Sequence, residues 1–264
     1  MNRAGHYETV PLGVAAYKAY LPNPLPPFPE IEMDAEFIAL LAKAHNVLGQ
    51  LESTSRLLPD VKLFLGSYVR KEALLSSQIE GTQATLEDVL NPDVAAAVNL
   101  DVDDVINYVG ALNFAIQKMK DLPICNRLLC ETHKVLLQGV RGQEKNPGEF
   151  RKSQNWIGAA GCTLQNARYV PPTPENMLKC MSELEKFIHE SDMDILIKTA
   201  LVHYQFETIH PFLDGNGRIG RMLIILMLMN EQILSSPILY MSLFLKTNRI
   251  EYYDRFSEVR IKGN

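Results

Sequence analysis

Hydrophobic residues recur at helical spacing through most of the 264-residue chain. The first such segment follows Asp34, whose side chain suits a helix N-cap, and the second ends before Gly81, which suits a C-cap. Pro59 separates these two segments, and Thr82 or Thr85 begins the next helix. Further helices are predicted over residues 101–119, 124–138, 174–190, 192–209, 217–232 and 249–260.

Two segments break this helical pattern. Residues 21–29, LPNPLPPFP, are rich in proline, which excludes a helix and favours an extended arm that crosses the surface. Residues 150–170 place β-prone and aromatic side chains around the small residues Gly158–Gly161, and two prolines follow them. The second segment therefore predicts a short β-hairpin in a fold that is otherwise mainly α.

Composition and charge narrow the classes of function. Hydrophobic residues make up 47% of the chain, which is enough for a sizeable core, and the net charge of −5 does not favour general nucleic-acid binding. The four cysteines have neither the paired spacing of a zinc site nor the density of a disulfide scaffold. No signal peptide or membrane-length apolar run is visible, so we expect a cytoplasmic protein without a membrane segment.

The segment from His210 to Arg221, HPFLDGNGRIGR, has the features of a phosphate-binding site. It joins the end of one predicted helix to the start of an apolar helix. The first backbone N–H groups of a helix have no internal partners and attract anions. Gly215 and Gly217 leave this helix start accessible to a ligand, and Asn216 provides either a cap or an amide donor.

Charged and titratable side chains complete this segment. Arg218 and Arg221 are three residues apart, so they share one face of the helix, and guanidinium groups suit oxyanions. Asp214 provides a hard oxygen ligand for Mg²⁺, and His210 provides a general base near neutral pH. Each feature alone is common in ordinary turns and helix ends, whereas their joint order is rare. The segment therefore predicts an enzyme that acts on a phosphoryl group.

HPFLDGNGRIGR resembles the Fic motif, His-x-Phe-x-Asp/Glu-Gly-Asn-Gly-Arg-x-x-Arg, at every defined position. Residues 148–158 are similar to the segment before the flap of Fic proteins, and residues 169–172 are similar to its end. The resemblance implies a Fic-type helical bundle with a short β-hairpin flap beside the active site. It also implies an N-terminal helical extension over residues 1–95 and a catalytic core over residues 96–264, which is C-terminally incomplete if the chain is a fragment.

The resemblance further implies a protein adenylyltransferase. Such an enzyme transfers AMP from ATP to a Ser, Thr or Tyr hydroxyl of a target protein, itself included, and releases pyrophosphate. His210 would remove the hydroxyl proton, Asp214 would hold Mg²⁺, and Phe212 would anchor the loop in the core. The expected phosphate contacts are Gly215, Asn216, Gly217, Arg218 and Arg221.

Other expectations from the resemblance concern the nucleotide and the partners. The flap near residues 161–170 would bind the target polypeptide by strand-like pairing. We expect the nucleotide to be bordered by Ala167, Arg168, Tyr169 and Asn248. The resemblance is also compatible with a homodimer.

Ser76 and Glu80 form part of the segment SSQIEG, which resembles the Ser/Thr-x-x-x-Glu-Gly/Asn inhibitory helix of autoinhibited Fic proteins. Without that resemblance, Glu80 would be interpreted as a solvated carboxylate before a glycine cap. A glutamate paired with Arg221 would occupy the donors that the γ-phosphate requires. In some relatives the same glutamate instead helps water to remove AMP from a modified target, and the sequence does not separate these two roles.

Two alternatives stay open at this point. Fic relatives also transfer phosphocholine, UMP or phosphate, so the motif fixes a phosphate-containing donor and leaves the transferred group undetermined. The chain could also be a non-catalytic nucleotide-binding regulator, although the intact His210 argues against this because a regulator does not need the base. The remaining helical histidines are interpreted as structural or surface residues: His45, His133, His189 and His203.

Overall fold

A computed structural model of the protein describes residues 2–13, 15–57, 61–90, 100–140, 142 and 144–263. Within these residues the chain forms ten helices and one antiparallel pair of strands, which confirms the mainly α class. The strands are β1 (Gly5–Leu12) and β2 (Ala15–Pro22). The helices are α1 (Ala35–Ser55), α2 (Val61–Ile79), α3 (Leu86–Leu90), α4 (Leu100–Lys118), α5 (Asn126–Leu136), α6 (Pro174–Glu190), α7 (Ile195–Ile209), α8 (Asn216–Asn230), α9 (Met241–Thr247) and α10 (Arg249–Lys262).

Helix α8 forms the centre of the molecule. Its side chains are buried along almost the whole helix, because a helix that is apolar on all faces must be surrounded by others. Helix α7 packs along α8, α6 packs on α7, and α2 contacts α4, α8 and α9. Helix α8 has 15 residues, and no helix in the described parts of the chain is long and apolar enough to span a bilayer.

Most predicted helix ends agree with the structure. Asp34 caps α1 by accepting a backbone N–H of the first turn at 2.8 Å, and Gly81 follows α2 with a φ of 105°, which favours glycine. Thr85, rather than Thr82, immediately precedes α3. Helix α9 was not predicted from the sequence. The predicted break at Pro59 and the predicted domain boundary at residues 95–96 lie outside the described residues.

The regular β-hairpin lies at the N-terminus, where the sequence predicts no strand. Over residues 150–170 the predicted hairpin consists of one isolated bridge, in which Ile157 and Tyr169 exchange N–H···O bonds of 2.8 and 3.0 Å. Between these two residues the chain forms turns that its own side chains stabilise. For example, the Asn166 side chain accepts the Thr163 N–H at 2.7 Å. The strand β1 was missed because it contains a proline, which lowers the expectation of a strand.

This N-terminal hairpin supports the end of the flap and the proline-rich arm. The Tyr20 N–H donates to the carbonyl of Val170 at 2.9 Å, and the Tyr20 side chain is fully buried. The arm over residues 21–29 contains no helix, as predicted, and the Gln205 amide of α7 donates to the Asn23 carbonyl at 2.8 Å. The arm is therefore held against the helical core.

Candidate active site

His210 lies at the C-terminal end of α7 in a backbone conformation that is uncommon for a residue other than glycine. Its φ is 51° and its ψ is 61°. Its N–H donates to the Phe206 carbonyl at 2.9 Å, and its own carbonyl accepts from Arg151 Nε at 3.0 Å and from Asn155 Nδ2 at 3.2 Å. These three bonds stabilise the strained backbone and fix the position of the imidazole.

The imidazole of His210 is held as a neutral proton acceptor. Its Nδ1 lies 3.3 Å from the carbonyl oxygen of Glu207, which can only accept, so Nδ1 carries the proton and Nε2 keeps a lone pair. Burial lowers the pKa of His210 to about 4, against the opposing effects of the Glu207 carbonyl and the Glu80 carboxylate. The ring is therefore uncharged at neutral pH, as a general base requires.

The loop between α7 and α8 is shaped by Phe212 and Asn216. The Phe212 ring is fully buried, as predicted, and stacks on His133 with ring centroids 3.8 Å apart. The Asn216 side chain accepts the Phe212 N–H and donates to the Phe212 carbonyl, both at 2.8 Å. The Asn216 side chain therefore holds the loop closed in this structure, and its contact with a phosphate stays a prediction.

The carboxylate of Glu80 lies beside the start of α8. Gly215 precedes the helix with a φ of 74°, and the first intrahelical bond runs from the Ile219 N–H to the Gly215 carbonyl at 3.0 Å. The earlier N–H groups of the helix consequently have no partner within it. A Cβ on Gly217 would overlap Oε1 of Glu80, so the missing side chain leaves the space that this carboxylate fills.

Glu80 and Arg221 form an ion pair, which we call the Glu80–Arg221 pair. Arg221 Nη2 donates to Glu80 Oε1 at 2.7 Å, and the Arg221 side chain is only 1% exposed. Ser76 contributes its hydroxyl and its carbonyl, which accept from Arg221 Nε and Nη2 at 2.9 Å each. Burial opposes ionisation of Glu80, but the Arg221 guanidinium holds the pKa of this carboxyl below its usual value. Glu80 is therefore an anion at neutral pH.

Arg218 points to a different helix than Arg221 does. Its Nη1 lies 3.2 Å from Asp104 Oδ1 on α4, and both side chains are buried. Its Nη2 lies 3.7 Å from Asp214 Oδ1, at the outer limit of an ion pair. The predicted contact of Arg218 with phosphates would therefore share the guanidinium with Asp104, a residue that the sequence analysis did not identify.

Asp214 provides a single accessible carboxylate beside the start of α8. Its side chain is 41% exposed, and its Oδ1 accepts the Gly215 N–H at 2.6 Å. Within the described ranges no group of three or more His, Cys, Asp or Glu side chains could hold a metal ion. Mg²⁺ at nucleotide sites is bound by one or two carboxylates together with phosphates and water. One exposed carboxylate therefore fits an ion that arrives with a nucleotide.

His133 lies behind this loop and was interpreted from the sequence only as a structural or surface residue. Its Nδ1 accepts the Gly148 N–H at 2.9 Å, so its Nε2 carries the proton and donates to the Asp214 carbonyl at 3.0 Å. The ring is fully buried, and burial lowers its pKa to about 4. His133 therefore connects Asp214, the candidate metal ligand, to Gly148 in the segment that follows α5.

Tyr169 contacts the end of α7. Its side chain is buried, and its hydroxyl donates to the Thr208 carbonyl at 2.6 Å, two residues before His210. The Arg260 guanidinium lies 4.1 Å from the centre of its ring. The Tyr169 side chain therefore supports the end of α7, and its position beside the nucleotide stays a prediction.

The other predicted border residues lie nearer the surface. The Arg168 guanidinium is exposed and lies 3.4 Å from Asp254 of α10. Ala167 is half-buried beside Val170. Asn248 joins α9 to α10, and its side-chain amide donates to the Phe244 carbonyl at 2.9 Å. Their contacts with a nucleotide stay predictions.

Two family models match the chain over most of its length. Residues 123–228 match the Fic/DOC family, and residues 38–117 match the N-terminal region of the Fic/DOC family. The chain belongs to the Fic/DOC family. The resemblance drawn from the motif at 210–221 is thereby confirmed.

Known relatives agree with this membership. Proteins named protein adenylyltransferase Fic from Drosophila ananassae and Drosophila melanogaster are 34% and 33% identical over 133 residues, or 49% of this chain. That stretch is 24% of each relative, so the chain spans about a quarter of their length. A Fic family protein from Desulfovibrio desulfuricans G20 has a TM-score of 0.73 at 20% identity, covering 89% of this chain and 69% of that one. Fic-1 from C. elegans (aa134–508) has a TM-score of 0.59 at 20% identity, covering 86% and 66%. These two structures show that the fold is shared.

Sequence reasoning missed several residues that hold this Fic site together. Arg151 donates to the Pro172 carbonyl at 2.5 Å as well as to the His210 carbonyl. Glu207 has a buried oxygen, and burial raises the pKa of this carboxyl to about 8. Arg151 lies in residues 148–158, which are similar to the segment before the flap of Fic proteins. Asp104 and Glu207 lie in no segment with such a resemblance.

His203 gives the Fic core a measurable dependence on pH. Its Nδ1 donates to the Gly220 carbonyl at 2.8 Å, its Nε2 accepts from Tyr252 at 2.8 Å, and burial lowers its pKa to about 4. Because histidine in an unfolded chain has a pKa of about 6.5, the unfolded chain binds a proton at this position at a higher pH than the folded protein does. Lowering the pH from about 6.5 to about 4 therefore destabilises the folded protein. In His203→Gln the free energy of unfolding should fall less steeply below pH 6.5, by about 1.4 kcal/mol per pH unit. Urea unfolding at several pH values checks this, and equal slopes would contradict it.

Proposed function

We propose that this protein is a protein adenylyltransferase that transfers AMP from ATP to a Ser, Thr or Tyr hydroxyl of a protein. The observation that carries the proposal is the Glu80 carboxylate, which lies against Gly217 at the start of α8 and pairs with Arg221. A carboxylate held there occupies a site suited to phosphate oxygens. The neutral imidazole of His210 precedes this helix start by one short loop. The names of the Drosophila relatives support the same activity.

In the proposed reaction, His210 Nε2 accepts the proton of the target hydroxyl. The hydroxyl oxygen forms a bond to the α-phosphorus of ATP, the bond from that phosphorus to the bridging oxygen of the β-phosphate breaks, and pyrophosphate leaves. His210 ends the step protonated. The negative polyphosphate raises the pKa of the ring above its value in the free protein, which makes it a better proton acceptor.

The polyphosphate would be bound by the start of α8. The backbone N–H groups of Gly217 and Arg218 point along the helix axis, and Arg221 would contact the γ-phosphate once Glu80 withdraws. Asp214 would hold Mg²⁺, which supplies charge neutralisation to the phosphates when bound. Flap residues near 161–170 would bind the target by backbone pairing beside the Ile157–Tyr169 bridge. This arrangement provides positioning and charge stabilisation, which phosphoryl-group chemistry mainly requires.

A labelling experiment distinguishes AMP transfer from the alternatives. The Glu80→Gly variant is incubated with a lysate and ATP labelled on either the α- or the γ-phosphate. Label from the α-phosphate alone on protein supports AMP transfer, whereas label from the γ-phosphate indicates phosphate transfer. Competition by unlabelled UTP or CDP-choline would indicate a different donor. Nucleotide binding without any labelled protein would indicate a non-catalytic regulator.

Removal of AMP from a modified target is a second candidate activity. It is favoured by Glu80 being an anion whose side chain is 37% exposed at the start of α8, where it could activate a water molecule. Wild type and Glu80→Gly are each incubated with a target that already carries AMP. Release of AMP by the wild type alone supports this role, and equal release by both excludes it.

A further inference from the structure

We infer that His133 is a positioning residue that sets the affinity of this site for its divalent metal ion, because its Nε2–H holds the backbone of Asp214. This inference rests on the proposed function in one respect, namely that Asp214 binds the metal ion of the nucleotide. His133 itself touches neither the metal nor the nucleotide in this assignment.

The orientation of the imidazole is determined by its two partners. The Gly148 N–H can only donate, so it fixes Nδ1 as the acceptor at 2.9 Å. Nε2 must therefore carry the proton, and the Asp214 carbonyl 3.0 Å away can only accept. The ring thus has one tautomer and one direction, and its single N–H donor is directed to Asp214.

The ring also contacts the residues that follow and precede Asp214 in the loop. It is stacked on Phe212 at a centroid distance of 3.8 Å and an interplanar angle of 7°. A Cβ built on Gly215 would lie 3.4 Å from the ring, so Gly215 passes close to its edge. The backbone on both sides of Asp214 is therefore packed against His133, which restricts the directions that the carboxylate can take.

The carboxylate of Asp214 has weaker restraints of its own. Its Oδ1 accepts the N–H of the adjacent Gly215 at 2.6 Å, a bond that moves together with the loop. Arg218 is 3.7 Å away and already paired with Asp104. The bond from His133 connects residues that are 81 positions apart in the sequence, and it ties the Asp214 loop to α5. Residues that orient a metal ligand in this way commonly change metal affinity by about 10- to 100-fold when removed.

Three substitutions separate the hydrogen bond to Asp214 from general packing. His133→Gln places an amide N–H near the position of Nε2 and preserves the bond to Asp214. His133→Asn places an amide oxygen near Nδ1, so it preserves only the bond to Gly148. His133→Phe preserves the stacking on Phe212 and neither bond. Leu184→Ala, a buried residue of α6 outside the loop, is the control for loss of stability.

Metal binding is measured directly, in the Glu80→Gly background with a non-hydrolysable ATP analogue. Electron paramagnetic resonance counts free Mn²⁺, and thermal unfolding reports the stability of each variant. We expect His133→Asn and His133→Phe to weaken Mn²⁺ binding by about 10- to 100-fold, and His133→Gln to stay within about threefold of the parent. Leu184→Ala should lower the unfolding temperature without this loss of metal affinity.

Some outcomes would overturn the role of His133, and one would separate it from the proposed function. Equal Mn²⁺ affinity in all three His133 variants, or a loss that follows the unfolding temperature alone, would overturn the inference. A parent that binds no Mn²⁺ with the analogue would overturn it as well. If the parent transfers no AMP but the His133 variants still rank as expected in Mn²⁺ affinity, the proposed function fails while the role of His133 stands.

Discussion

In the Glu80→Gly background, replacing His210 with alanine should lower the rate of AMP transfer by about 10²–10⁴-fold, because the general base is lost. The affinity for ATP should change little, because under the proposed function α8 and Arg221 hold the phosphates. The rate is measured as incorporation of α-labelled ATP into protein, and the affinity by calorimetry. Alanine is disfavoured at a φ of 51°, so we expect a small loss of stability, of about 1 kcal/mol.

A second variant separates catalysis from backbone strain at this position. His210→Asn keeps a residue that tolerates the left-handed conformation, and it should be as inactive as the alanine variant. His189→Ala, on the exposed end of α6, is the control and should retain the parent rate. A folded His210 variant that still transfers AMP at the parent rate would show that another group removes the proton.

Replacing Glu80 with glycine should raise AMP transfer or automodification by about 10- to 100-fold. The substitution frees the Arg221 donors and vacates the space at Gly217, both of which the γ-phosphate would use under the proposed function. The size follows from one hydrogen bond between charged groups, which contributes about 1.5–3 kcal/mol. Initial rates with α-labelled ATP, together with ATP affinity, measure the effect.

Two further substitutions test whether the charge of Glu80 is responsible. Glu80→Gln keeps the volume but loses the charge, so its rate should lie between those of the wild type and Glu80→Gly. Glu87→Gly makes the same exchange at an exposed position on α3 and should leave the rate unchanged. An unchanged rate in Glu80→Gly, at full ATP binding, would mean that the Glu80–Arg221 pair does not limit the reaction.

Local signals in the sequence predicted several helix ends and the helix that follows the candidate site loop, because they act within a few residues. Asp34, Gly81 and the helix that begins at Asn216 follow from caps, glycine and apolar periodicity. The order from His210 to Arg221 is likewise one continuous segment. These features depend on the conformation of a single turn or loop, which the nearby residues determine.

Contacts between distant segments could not be predicted in the same way. Asp104 follows the first turn of α4, next to Asp101 and Asp103, which are the acidic residues expected there for the helix dipole, so its pairing with Arg218 gave no separate signal. The sequence predicted Tyr169 as a strand residue, but it gave no signal for the hydrogen bond from the Tyr169 hydroxyl to α7. The partnership of Glu80 with Arg221 was anticipated only through the resemblance to other Fic proteins. Such pairings depend on tertiary packing, which periodicity does not encode.

The Glu80–Arg221 pair joins two residues that are 141 positions apart in one polypeptide. The effective concentration of the Glu80 carboxylate at Arg221 is therefore set by the fold and does not change with the amount of protein in solution. Under the proposed function, diluting the wild-type protein would leave the inactive fraction the same, and opening would follow first-order kinetics. Relief of the inhibition would then require a molecule that competes for α2 or Arg221, or a chemical change in the chain.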